Sequence, residues 1–271
     1  FLSLSAIVAF YYPHSRSRRE IRASEERLYM SSSEPSASSK FGLTSLSCLV
    51  VANTIGAGIY PTSAFTLADL GTREAVMAVW VAASVLALTG AYSFGVLARA
   101  IPKSGGEYLY LSRLIHPGAG FIAGWVSMIA AFAGAEAYAA ITLKEYIQLD
   151  PRLEMAIAVG LLVLLAFLHG ALVRAGTLLQ NLTVIAKGLF ILLFVLLAAA
   201  VGEPPTDAPA PPELDLWVWP VNLMWVSLSF TGFNSAIYVA EEAENPRIDV
   251  PRALLIGTLV TAVLYLLINA A

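Results

Sequence analysis

Asn53-Thr54-Ile55-Gly56-Ala57-Gly58-Ile59-Tyr60-Pro61 interrupts an apolar run that extends from about residue 43 to about residue 69. Two glycines two apart, followed by a proline, weaken a helix. Glycine leaves the backbone free, and proline contributes no N–H. The run is long enough to cross the ~30 Å hydrocarbon core of a bilayer. Gly56 then falls roughly 20 Å along the span. Irregular backbone at that depth is tolerated only where it is buried in protein or lines a water-filled cavity. Close helix packing through small residues is the competing reading of Gly-x-Gly on its own.

The rest of the chain has the same character. Of its 271 residues, 58% are hydrophobic and 13% charged, with mean hydropathy +0.73. A soluble domain carries about a quarter charged residues, so long stretches here have nothing to face water. Seven apolar segments follow one another, at about 43–69, 75–98, 118–143, 153–171, 177–201, 216–240 and 251–271. Before them, residues 1–40 stand apart. Phe1 to Tyr12 is apolar but too short to span, and no initiator Met or signal cleavage site accompanies it. Five arginines (Arg16, Arg18, Arg19, Arg22, Arg27) and a serine-rich stretch complete it. The expectation is a disordered cytoplasmic tail, 1–40, and a transmembrane domain, 41–271.

Orientation follows from Lys and Arg. With the N-terminus inside, twelve of the sixteen basic residues fall on the inner side and three, Arg73, Lys144 and Arg152, on the outer. The loop Gly202–Leu216 carries four acidic residues and no base, which suits the outside. A receptor or retinal protein also has seven segments, but places its N-terminus outside. A retinal protein also needs its lysine in the last helix. The loop Arg99–Pro117, with Tyr108, Tyr110 and several leucines, reads either as a short amphipathic helix or as an ordinary loop. One cysteine, Cys48, excludes a disulfide framework. His14, His116 and His169 have no metal-ligand spacing, so no metal and no cofactor are expected. No His, Asp or Glu cluster lies within the apolar core, and no enzyme is expected.

Two further features break the apolar pattern. Ser227-Leu228-Ser229-Phe230-Thr231-Gly232-Phe233-Asn234-Ser235 places a glycine among hydroxyls near the middle of segment six. Its bland reading is a polar face packed inside the bundle. Lys187 lies about 15 Å deep in segment five. An ammonium there costs ~2.5–3.5 kcal/mol on insertion scales, so it must meet carbonyls, a carboxylate or water from other helices. That need is met equally by a purely structural ammonium. Segments one and six run in opposite directions, and interrupted helices at corresponding places of two halves point to a transporter site. A break offers N–H groups at one half-helix start for a carboxylate, and carbonyls at the other half-helix end for an ammonium.

These residues resemble the amino acid–polyamine–organocation permease superfamily over roughly 42–271. Gly56-Ala57-Gly58-Ile59-Tyr60 is similar to its unwound first helix. Ile101-Pro102-Lys103-Ser104-Gly105-Gly106-Glu107-Tyr108 matches its loop after helix two. Phe230 to Phe233, with Glu241 to Arg247 and Pro251-Arg252-Ala253, matches helix six and its exit. Gln180-Asn181 with Lys187 matches helix five of sodium-independent members. The resemblance implies an all-α transmembrane five-plus-five inverted-repeat fold with helices one and six unwound. It would be truncated after about seven helices, with the first repeat about 42–201 and the second beginning about 216–271. It implies that Thr54, Gly56, Ala57 and Gly58 hold a substrate carboxylate. Leu228, Ser229, Phe230, Thr231 and Gly232 would offer carbonyls to the amino group and walls to the side chain. Lys187 would stand where sodium-coupled relatives bind sodium, which favours proton coupling or exchange. Ala57 replaces the family's usual serine, and the bulky aromatic gate falls near Leu228 or Phe230. Expected partners are a small amino acid or amine and the lipid bilayer of a plasma or cell inner membrane. Nucleic acid is not expected, and an accessory subunit is left open. Neutral or broad-range amino acids are favoured as substrates over polyamines or cationic amino acids. An inactive truncated permease is the rival.

Overall fold

The computed structural model describes residues 41–56, 58–147, 149–171, 173–201 and 217–270. The stretch 1–40, Ala57 and the acidic loop 202–216 lie outside these, as do the side chains of Gln180 and Asn181. Among the described residues the secondary structure is helical, apart from one isolated parallel bridge between Phe41 and Ala243.

The first apolar segment is two helices, α1 (Leu43–Thr54) and α2 (Ile59–Leu70), with non-helical backbone between them. Gly71, in the left-handed region at φ 72°, ends α2. Helix α3 (Arg73–Ala100) starts one residue after Thr72, whose hydroxyl accepts from the Ala75 amide at 3.3 Å. The loop that follows contains a helix, α4 (Gly106–Leu114), so the helical reading of Arg99–Pro117 is the right one. Helix α5 (Pro117–Val126) has His116 as its cap and proline in its first turn. A seven-residue π-turn, Ser127–Ala133, joins it to α6 (Gly134–Ile147). Helices α7 (Pro151–Ala171) and α8 (Val173–Val201) follow. The sixth segment is α9 (Val218–Leu228), an irregular stretch, then a 3-10 helix, Ser235–Glu242. Helix α10 (Pro246–Ala270) closes the described chain.

Four stretches are long and apolar enough to cross a membrane by length and composition: Arg73–Ala100, Pro117–Lys144, Pro151–Leu168 and Pro246–Ala270. Leu43–Thr54, Leu182–Leu197 and Val218–Leu228 are shorter apolar helices. The interrupted segments fall in the short class because each is cut near its middle. Helix α10 packs against α3 and α1, and α9 packs against α3 and α2. One face of α3 is a ladder of small residues, Ala83, Ala87, Ala91, Gly95 and Ala98, all buried. Small side chains at helical spacing let neighbouring backbones approach closely. Two apolar clusters result. One gathers Trp80, Phe230, Tyr265 and Val226, and the other Leu46, Ala91, Ala236, Ala240 and Leu254. The outer faces of α5 to α8 remain apolar and largely exposed, as with Phe121, Phe167 and Phe190.

Phe41 fastens the start of α1 to the exit of segment six. Its amide donates to the Glu242 carbonyl at 2.7 Å, and the Glu244 amide donates to its carbonyl at 3.0 Å. The ends of segments one and six that lie beside α4 are therefore neighbours.

Candidate functional site

The two chain breaks meet. Gly232, at φ 106°, presses its Cα against the backbone of Asn53; a Cβ there would lie 2.7 Å from the Asn53 carbonyl carbon. Only glycine satisfies both the positive φ and the contact. Gly58 faces the same stretch, and a Cβ there would lie 3.5 Å from the Ser229 hydroxyl. Gly56 is different: it is exposed, and nothing lies within 4 Å of the place its Cβ would take.

Helix polarity organises the meeting. α1 and α9 both end here, and each presents carbonyls of a helix C-terminus. α2 begins here, and Gly58 at its N-cap position has no side-chain cap. The first-turn amides of a helix have no partners within it. Pro61, third in α2, has no amide, so it breaks no intrahelical hydrogen bond but leaves that turn one free donor fewer.

The carbonyls at the two C-termini are bridged by Tyr265 of α10. Its hydroxyl oxygen lies 2.9 Å from the Thr54 carbonyl and 3.0 Å from the Ser229 carbonyl. One phenolic proton is shared between two acceptors, a three-centre arrangement. The ring packs against Phe230 and Trp80, with centroids 5.1 and 5.4 Å away, and all three side chains are buried. The next carbonyl along α1, that of Ile55, accepts from the Lys187 ammonium at 3.1 Å. A cation at a helix C-terminus is favoured by the dipole, and the carbonyl repays part of the cost of placing the charge in an apolar run. Of the carbonyl, carboxylate or water that a lysine at this depth requires, Lys187 has found the carbonyl.

The Thr54 hydroxyl is buried and donates to Val50 one turn back, at 2.7 Å. Its proton is thus committed to its own helix. The Ser229 hydroxyl donates to Thr62 at 3.3 Å, and Thr62 donates to the Gly58 carbonyl at 2.5 Å. Thr231 is exposed at the break, and its amide closes a turn on the Leu228 carbonyl at 3.0 Å. Leu228 and Phe230, left together as candidates for the gate, separate. Phe230 is 2% exposed within the aromatic cluster, whereas Leu228 is 54% exposed on the opposite face. Ala57 lies outside the described residues.

Tyr265 is the residue that sequence reading passed over. A tyrosine in the run Leu259–Ile268 looks like one more core aromatic. The available signal was its hydroxyl, since a buried phenol needs a polar partner. Tyr265→Phe leaves two C-terminal carbonyls facing each other without the shared proton. The purified protein in detergent is expected to lose about 1–3 kcal/mol of stability, read as a lower melting temperature; an unchanged melting temperature would show the bridge to be idle.

A family model described as an amino acid permease matches residues 41–271. The chain belongs to the amino acid permease family. Among curated relatives, this permease is 28% identical to the b(0,+)-type amino acid transporter 1 of Rattus norvegicus over 266 residues, covering 92% of its own chain and 55% of the relative. It is 27% identical to the large neutral amino acids transporter small subunit 2 of Rattus norvegicus over 252 residues, 86% of its chain and 46% of the relative. The human b(0,+)-type transporter 1 is 26% identical over 263 residues, 91% and 54% respectively. The permease chain therefore spans about half the length of the curated relatives it matches.

Proposed function

We propose that this permease moves amino acids across a membrane by alternating access, with its substrate held between the breaks of segments one and six. The observation that carries the reading is the meeting of the two breaks, which brings one helix start and two helix ends together. A zwitterion matches that polarity: its carboxylate suits the start of α2 at Gly58, with the Gly56 amide, which donates to the Thr54 carbonyl at 2.9 Å, and that of Ala57 turning to it on binding, and its ammonium suits the carbonyls of Leu228 to Gly232. Thr54 gives the carboxylate no free donor, because its hydroxyl is committed to Val50 and its carbonyl accepts from Tyr265; it serves by fixing the end of α1 beside the break. Phe230, backed by Trp80 and Tyr265, forms the apolar wall.

The two interrupted segments run in opposite senses, as the first helices of a five-plus-five inverted repeat do. The N-terminus, and with it α4, lies on the cytoplasmic side by the excess of Lys and Arg there. Lys187 places its amino group on the Ile55 carbonyl, an oxygen that would otherwise be free to ligate a metal cation. Proton coupling or exchange therefore fits better than sodium symport. Neutral amino acids fit better than polyamines, since the residues proposed to hold the substrate include no acidic side chain. The name of one relative speaks of a small subunit, and an accessory subunit for this permease is a matter for pull-down from its native membrane.

Uptake of a labelled neutral amino acid into proteoliposomes, using the gene's complete reading frame, tests the function. Saturable uptake that rises with an inward proton gradient, or with internal amino acid, is expected. Uptake of polyamines alone, without competition by neutral amino acids, would overturn the substrate class.

A further inference from the structure

Segment six is held at both ends by a carboxylate from another element, and in each case an asparagine is a donor. On α9, the Asn222 amide donates to Asp69 at the end of α2, at 3.0 Å, and Asn222 is 1% exposed. Past the break, the Asn234 amide donates to one oxygen of Glu107 on α4, and the Tyr238 hydroxyl donates to the other. The two asparagines flank the irregular stretch, so each carboxylate restrains a different half of the segment.

The Glu107 end is built up further. Gly106, at φ 58°, lets α4 come against the Tyr238 ring, where a Cβ would lie 2.7 Å from Cδ1. The Ser104 hydroxyl accepts from the Glu241 amide at 3.0 Å. On its other side Tyr238 meets Phe132 of the π-turn, with ring centroids 5.6 Å apart and edge-on. π-Turns recur at functional positions in helices.

We propose that Glu107 and Asp69 are opposed latches on the two halves of segment six. With both engaged, each half of segment six is held in place. Release of Glu107 frees the Asn234–Glu242 half and opens the α4 face. Release of Asp69 frees α9 and opens the other. Glu107 and Asp69 are thus positioning residues that act on segment six rather than on substrate. The inference rests on the alternating-access reading above.

The test is a reporter thiol at the break, Gly56→Cys in a Cys48→Ser background, because a side chain on Gly56 meets nothing within 4 Å. A membrane-impermeant maleimide is applied to whole cells and to inside-out vesicles, and the ratio of the two labelling rates is compared across variants. Losing a hydrogen bond to a charged group is worth about a tenfold change in such an equilibrium. Glu107→Gln is expected to shift the ratio about tenfold toward the α4 face, and Asp69→Ala to shift it the other way. Tyr238→Phe removes one donor of the Glu107 latch and is expected to shift the ratio in the same direction as Glu107→Gln, which keeps the test available if that variant does not reach the membrane. An unchanged ratio, or a shift of both variants in one direction, overturns the proposal. The substrate reading is scored separately: slowing of labelling by saturating neutral amino acid supports it, and its absence counts against that reading while leaving the ratio to judge the latches.

Discussion

Gly232→Ala is expected to leave little folded permease in the membrane. Two costs coincide at that position. Alanine at φ 106° is strained by about 1–3 kcal/mol. Its Cβ would also drive into the Asn53 backbone, 2.7 Å from the carbonyl carbon, where no flexible side chain can yield. Relief requires segments one and six to separate, and overpacking of that kind costs about 1–3 kcal/mol or more. A fluorescent fusion should show loss of the monodisperse peak in size-exclusion chromatography. Gly56→Ala is the internal comparison, since it adds the same methyl group to open space and should keep the peak. A monodisperse Gly232→Ala protein with an unchanged melting temperature would mean that the breaks do not meet as described.

Lys187→Ala is expected to lower amino acid uptake by about tenfold or more while the protein still reaches the membrane. The substitution removes the ammonium from the Ile55 carbonyl and leaves a helix C-terminus without its compensating charge. The freed Ile55 carbonyl would then compete with those of segment six for the ammonium of the proposed substrate. Any response to a proton gradient should vanish with the lysine. Lys187→Arg restores a charge but not a compact ammonium, and a planar fork suits a single carbonyl less well, so partial rescue is expected. Full uptake with the gradient response intact in Lys187→Ala would remove Lys187 from the coupling machinery.

Much of this arrangement was legible in the sequence because it rests on local chemistry. Gly-x-Gly with Pro61 marks a weakened helix wherever it falls, and Gly232 among hydroxyls marks another. A lysine ten residues into an apolar run has to find oxygen. The helix within Arg99–Pro117 was one of two readings that its tyrosines and leucines left open. What escaped was tertiary in origin. The π-turn at Ser127–Ala133 carries no glycine or proline signal, and segment three reads as one unbroken span. The exit of segment six reads as ordinary helix, yet it becomes a 3-10 helix beyond Gly232. Asn222 and Tyr265 each read as a single polar atom in an apolar helix. Their meaning depends on Asp69 and on the Thr54 and Ser229 carbonyls, far away in sequence. Periodicity reports which face is buried but not what is buried against it.

The central claim is that the facing breaks hold the carboxylate and the ammonium of one amino acid. Competition binding to the purified permease tests it most directly, with a labelled neutral amino acid displaced by three unlabelled compounds: the same amino acid, its amide, which lacks the carboxylate, and its deaminated acid, which lacks the ammonium. Displacement by the intact amino acid alone is the predicted result. Equal displacement by the amide or by the deaminated acid would contradict it.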